Sequence, residues 1–471
     1  MSSLRRALPC LTTAALAASL MGSAPASAAP GPVAVQRDSI PIRGVDRAAL
    51  SAAPTVPSAG RSGDRVVGMT DAVATQDFRA AGVTWSGERS DVEAFVRTRD
   101  AETGRWSGWS LLQAEAGPDA GTSEAAATRG GTQPLIADSS DGIQVRVESA
   151  GGAPDDLEVD LVEPGTSSAD STTSTSSTTS TNPQAKPTVH SRAEWGADES
   201  IRKGDPEYGQ VRGAVVHHTA GVNGYSAEEV PAILRGIYDF HVNGRGWNDI
   251  GYNVLVDRFG RLWEGRAGGL DKAVIGAHAQ GVNSQTFGIS AMGDYDVVAA
   301  PDVMETSIER FTAWRLARHH VDPTAKATIG GVWRPTVLGH RNVGQTDCPG
   351  QYLYARLGEI RAGARERQGT AIYTPSTSPR RIEQGTGGST LRAQTTGDIT
   401  WRVRVTSDEH GVVADSTGTR TDDGTLEVPW DGRLPDGSWA TPGSYEVVLS
   451  GRDTSSGAWL PSWRDTVTVT S

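Results

Sequence analysis

Gly213-Ala214-Val215-Val216-His217-His218-Thr219 is a short apolar run ending in two adjacent histidines, and it decides how the middle of the chain is read. Side chains alternate faces along a strand, so one histidine can face a site while its neighbour faces elsewhere. Downstream, strand and helix patterns alternate. Ser226, followed by Glu228 and Glu229, opens a helix running to about Asn243, and Asn253 to Asp257 is a strand. Ile275 to Ala277 and Gly288 to Met292 read as further strands, with helices at about Met304 to His320 and Gln351 to Arg365. The expectation is an α/β domain with a central mixed sheet and flanking helices.

Low-complexity sequence sets off this domain on both sides. Residues 164–187 contain a Ser/Thr tract closed by Pro183 and Pro187, a composition that buries no core and reads as a linker. A weaker break spans residues 368–390, with Pro375, Pro379, Gly385, Gly387 and Gly388 and no apolar periodicity. The flanks alternate apolar and polar residues around Gly-rich turns, as in Val92 to Thr98, Ile143 to Glu148 and Trp401 to Val405, the pattern of all-β sandwich-like domains. The expected order is therefore a signal peptide (1–28), a leader (29–60), a β-rich domain (61–163), a linker (164–187), the α/β domain (188–367), a linker (368–390) and a β-sandwich (391–471). Trp106-Ser107-Gly108-Trp109 in the first β domain reads as a cap on its own hairpin more readily than as a sugar platform.

Composition narrows the function. The 471 residues carry a net charge of −12, and 37% are hydrophobic. Acidic flanks around a nearly neutral middle build no basic face, so nucleic acid is not an expected partner. Arg5 and Arg6, the apolar run Ala7 to Leu20 and Ala26-Ser27-Ala28 read as an export signal with its cleavage site. That run falls short of the roughly 20 residues needed to cross a bilayer, so a secreted, extracellular or wall-associated protein with no membrane span is expected. The sequence carries no signal of oligomeric state. Cys10 leaves with the signal, and Cys348 is then the only cysteine of the mature chain. A lone thiol in an exported protein is a buried small hydrophobe, an intermolecular partner, a nucleophile or a metal ligand.

Of the nine histidines, seven lie between His217 and His340: His217, His218, His241, His278, His319, His320 and His340. His340 and Cys348 bracket the Gly-containing loop Arg341-Asn342-Val343-Gly344-Gln345-Thr346-Asp347, so both can reach one ion. Two imidazoles and a thiolate suit a zinc ion that keeps a fourth position open, while core histidines and an inert thiol give the same sequence. HExxH, a Gly-rich phosphate loop and a nucleophile elbow are all absent.

Here the chain resembles the zinc-dependent type 2 N-acetylmuramoyl-L-alanine amidases, the family of the peptidoglycan recognition proteins and the phage T7 lysozyme. The resemblance rests on Ser191 to Ala197, Val216 to Thr219, Arg245 to Asn253, Glu264-Gly265-Arg266, Gly276 to Ala279 with Asn283, and His340 to Gly350, in family order. It implies a type 2 amidase fold and, with Zn2+ as cofactor and peptidoglycan as partner, hydrolysis of the amide between N-acetylmuramic acid and L-alanine of the stem peptide. The alternative is a non-catalytic peptidoglycan-binding protein, as some family members are, though those typically lack Cys at this position. By the same resemblance His217, His340 and Cys348 match the zinc ligands, and Tyr252 and Thr346 the catalytic positions. His218, Trp247, Arg266, His278 and Asn283 are the candidate substrate-binding residues. No matched carboxylate offers a general base. Asn248 and Asp249 are expected to order the turn before Tyr252. In related recognition proteins a Gly-Trp pair, here Gly246-Trp247, accompanies diaminopimelate stems, whose extra carboxylate an arginine such as Arg266 can pair with. At the C-terminus, Trp430-Asp431-Gly432, Asp436-Gly437 and Pro442 to Tyr445 resemble the Ig-like repeat of flagellar hook-capping proteins, without chemistry.

Overall fold

In a computed structural model the described residues are 31–45, 65–168, 170–172 and 185–471. The stretch read as an export signal and most of the Ser/Thr tract lie outside them.

The middle segment folds around a six-stranded sheet in the order Val337–Gly339, Gly213–His218, Thr286–Ala291, Val254–Val256, Leu262–Glu264, Val189–His190. Its pairings are parallel except Val254–Val256 with Leu262–Glu264, so the sheet is mixed. On one face Ala214, Val216, Phe287 and Ile289 pack against the helices Asp302–Arg318 and Leu357–Gln368 through Ile308, Phe311, Leu357 and Ile360. On the other, Leu255 and Trp263 meet Val230, Leu234 and Ile237 of the helix Val230–Asp239. Apolar residues on both faces of each strand are what parallel strands covered by helices require. Alternation along Gly213–His218 turns Val215 and His217 away from the Asp302–Arg318 helix.

Ile275 to Ala277 is not a strand. Its backbone bonds go to loops, from Ile275 N to Glu207 O (2.9 Å) and Ala277 N to Gly251 O (3.0 Å), and no ladder forms.

The N-terminal segment is an eight-stranded antiparallel sheet with the path Gln36–Pro41, Glu158–Glu163, Val73–Trp85, Leu135–Ser149, Val92–Asp100, Ser110–Gln113. The expected leader thus contributes an edge strand. The C-terminal segment has a three-stranded and a five-stranded sheet enclosing one core of Ile372, Leu391, Val428, Trp430, Val403, Tyr445 and Val467. It begins at Ala371, inside the stretch expected as a linker. Ala371–Ser378 lies at an edge of its sheet and bulges between Tyr373 and Ser376, which is where Pro375 is tolerated.

The first domain is not decoupled by the Ser/Thr tract. Its Ala80, Ile136 and Val162 share a core with Trp195, Leu234, Ile237 and Tyr252 of the α/β domain. The buried Arg235 guanidinium donates to Pro164 O, Gly165 O and the Asp170 carboxylate, fastening the start of the tract to the helix Val230–Asp239.

Candidate metal centre and groove

His217 stands at the end of its strand, His340 follows Val337–Gly339 on the adjacent strand, and the loop after His340 returns Cys348 to the same point. Their ligand atoms lie within 4.8 Å of one another. All three are buried, with 0%, 5% and 4% of their surface exposed. His217 Nδ1 is 3.6 Å from Cys348 Sγ, and His217 Nε2 is 3.0 Å from His278 Nδ1. Burial pushes the imidazoles down, His340 to about 4 and His278 to about 3, with neighbouring histidines adding to the effect at His217 and His278, so all are neutral bases. Burial also pushes the Cys348 thiol up. Two neutral imidazoles and a thiol that a bound cation would deprotonate are donor types that a zinc ion accepts.

His278 Nδ1 lies within hydrogen-bond reach of the His217 ring and is placed to orient it. Metal-ligating histidines commonly pass their second ring nitrogen to such a partner, and its loss typically costs 10–100-fold in metal affinity. We expect His278→Ala to lower zinc affinity by about 10–100-fold, measured by competition with a chromogenic chelator. Unchanged affinity would reduce His278 to loop packing.

Tyr252 lies beside the triad, its ring 5.2 Å from that of His217. Its hydroxyl donates to Glu115 Oε1 at 2.9 Å. Thr346 Oγ1 accepts from Cys348 N at 3.1 Å and donates to Gln113 Oε1 at 3.2 Å. Asn283 Oδ1 accepts from the backbone of His278 and Ala279, so half of its amide holds the His278 loop. Trp247 is fully buried, with the His241 ring tilted against it at a centroid separation of 4.4 Å and the Arg245 guanidinium carbon 4.7 Å from its ring centroid. Arg266 is also buried and pairs bidentately with Glu124, at 2.9 and 2.7 Å. Asp249 accepts from Ile250 N and Ala267 N and from Arg192, holding the turn before Tyr252.

His218 departs from the expected substrate-binding set. Its Nδ1 accepts from Tyr295 N at 3.2 Å and lies 3.8 Å from Asp294, on the strand face opposite His217.

The first domain supplies what the sequence reading missed. Glu115 is a buried carboxylate beside Tyr252, with Oε2 3.6 Å from both His241 Nε2 and Arg245 Nη1. Burial pushes its carboxyl up, but His241, Arg245 and the Tyr252 hydroxyl outweigh this and leave it below the ordinary carboxylate range. Its contacts lie more than a hundred residues downstream, so no local motif announces it.

The fold and the two-histidine, one-cysteine cluster define an α/β domain built around a candidate metal centre. Residues 207–351 match the family model described as N-acetylmuramoyl-L-alanine amidase, and residues 36–188 one described as Rv3811 N-terminal galactose-binding domain-like. Peptidoglycan-recognition protein SC2 of Drosophila simulans is 32% identical over 172 residues, which is 36% of this chain and 84% of that protein. The human N-acetylmuramoyl-L-alanine amidase is 31% identical over 177 residues, covering 36% of this chain and 28% of the human protein. The structure of Drosophila PGRP-LB is 31% identical over 36% of this chain and 92% of its own, with a TM-score of 0.31. The chain belongs to the peptidoglycan-recognition protein and N-acetylmuramoyl-L-alanine amidase family, and its function is peptidoglycan-related.

Proposed function

We propose that the chain is an exported peptidoglycan hydrolase that cleaves the amide between N-acetylmuramic acid and L-alanine of the stem peptide. The observation that carries this reading is the buried cluster of His217, His340 and Cys348 with the Tyr252 ring against it. Zinc held by these three residues would polarise the amide carbonyl and bring the pKa of a water ligand to about 7. Tyr252 would donate its hydroxyl hydrogen to the amide oxygen as that oxygen gains charge, with Thr346 as a second donor. Burial and the nearby Glu115 push the Tyr252 phenol well up, so it keeps the proton it must donate. His278 would hold the His217 ring in the tautomer that leaves Nδ1 free. The presence of Cys348 favours hydrolysis over recognition alone. Digestion of purified sacculi tests the reading: new L-alanine amino termini without new reducing sugar ends are expected, and the reverse would refute it.

The same reading assigns Arg266 to a stem-peptide carboxylate, because it already binds a carboxylate bidentately inside the protein. A charge-assisted pair of this kind is worth about 1.5–3 kcal/mol, or roughly ten- to a hundredfold. With Glu124 taken out of the fork by Glu124→Gln, diaminopimelate muropeptides should turn over that much faster than lysine ones, and adding Arg266→Ala should erase the difference. Equal rates in the Glu124→Gln chain would remove the assignment.

A further inference from the structure

From the way the first domain meets the groove, we infer that residues 113–124 are a built-in occupant of the stem-peptide arm, so that the chain is latent until this segment is displaced. This rests on the hydrolase reading for what the groove binds. The segment engages the candidate residues in turn. Gln113 takes the Thr346 hydroxyl and Asp347 N, and Glu115 takes the Tyr252 hydroxyl. Gly117 O and the Asp119 carboxylate accept from Asn283 Nδ2, both at 3.0 Å, and Asp119 also accepts from Gly281 N and Ser284 N. Glu124 fills the guanidinium fork of Arg266. Two carboxylates of the chain thus stand where an acidic stem peptide would place its own.

The fit depends on close approach. A Cβ on Gly117 would lie 2.8 Å from Trp247 Nε1, and one on Gly82 only 2.2 Å from the Phe240 ring, so glycine at these positions lets the first domain seat. Yet the occupant is an imperfect ligand. Trp247 Nε1 is buried without a hydrogen-bond partner among the described residues, and His241 Nε2 and Glu115 Oε2 meet each other only at 3.6 Å. Leaving a buried donor unpaired is costly, and a peptide that paired Trp247 Nε1 would compete for the arm. A cleft of about 610 Å³ stays open beside the centre, bordered by His340, Arg341, Thr346 and Arg334 and, from the first domain, by Arg89 and Glu115.

The test uses the full chain carrying a specific protease site inserted after Gly121, an exposed position with open space around it. Binding of a soluble diaminopimelate muropeptide is measured by calorimetry before and after cutting, together with release of L-alanine amino termini. An uncut Asp119→Ala/Glu124→Gln variant gives a second route to an open arm. Loss of these charge-assisted contacts should tighten muropeptide binding by about ten- to a hundredfold in both, with turnover rising alongside. Thermal melting confirms that each form stays folded. Unchanged, weaker or absent binding in the folded nicked chain, or a fall in turnover on nicking, would overturn the inference. Tighter binding with no new amino termini would leave latency standing and sink the hydrolase reading; full turnover in the uncut chain, unaffected by the nick, would do the opposite.

Discussion

Replacing Cys348 by serine should abolish turnover and strip the metal from an otherwise intact fold. The serine hydroxyl is neutral and hard where the thiolate is charged and soft, so the ion loses both its charge balance and its preferred donor. Polarisation of the amide by the ion is worth several kcal/mol, which sets the expected loss in turnover at about a thousandfold or more. Serine is close in size and can accept the hydrogen bond that His218 N now gives to Sγ at 3.3 Å, so the melting temperature should stay near that of the metal-free parent chain. Native mass spectrometry reads the zinc stoichiometry directly. A variant that keeps one zinc per chain and full turnover would show that the triad is not the working centre, and Cys348 would then be the buried small hydrophobe that a lone thiol often is.

What the sequence disclosed of this centre was disclosed by local patterns. The Gly213–His218 strand is apolar, bounded and ends in two histidines, and the alternation that separates His217 from His218 is a property of any strand. The loop between His340 and Cys348 is short enough for both ends to meet at one point. Expectations weakened where pairing partners are distant or where composition misleads. Ile275 to Ala277 has the apolar look of a strand, but neighbouring loops take its backbone bonds. Pro375 and Pro379 suggested a linker, while an edge strand with a bulge accommodates proline without losing a central ladder. Glu115 was illegible for a deeper reason. It follows the strand Ser110–Gln113, in a segment whose own composition says only that it turns, and it acquires meaning when a second domain is docked against it. Burial of Ala80, Ile136 and Val162 against the α/β domain decides that docking, and single-strand periodicity cannot show which apolar face will meet which.

Tyr252→Phe isolates the second part of the chemistry, because it removes one hydroxyl and leaves the ring that packs against His217. Removing a single donor to a developing oxyanion costs roughly a hundred- to a thousandfold in turnover. In the nicked chain the loss should fall on kcat with KM little changed, since the hydrogen bond strengthens only as charge builds on the amide oxygen. Zinc should remain stoichiometric, in contrast to Cys348→Ser, because the hydroxyl is not part of the ligand cluster. The substitution also frees Glu115 Oε1 from its hydroxyl partner, leaving the carboxylate near His241 and Arg245. In the intact chain this weakens the segment's hold on the groove and partly offsets the loss by admitting more substrate. The nicked chain removes that compensation, so the two forms together separate the donor role of Tyr252 from its role as an anchor for Glu115. A phenylalanine variant of the nicked chain that turned over within about threefold of its parent would leave the oxyanion without its assigned donor.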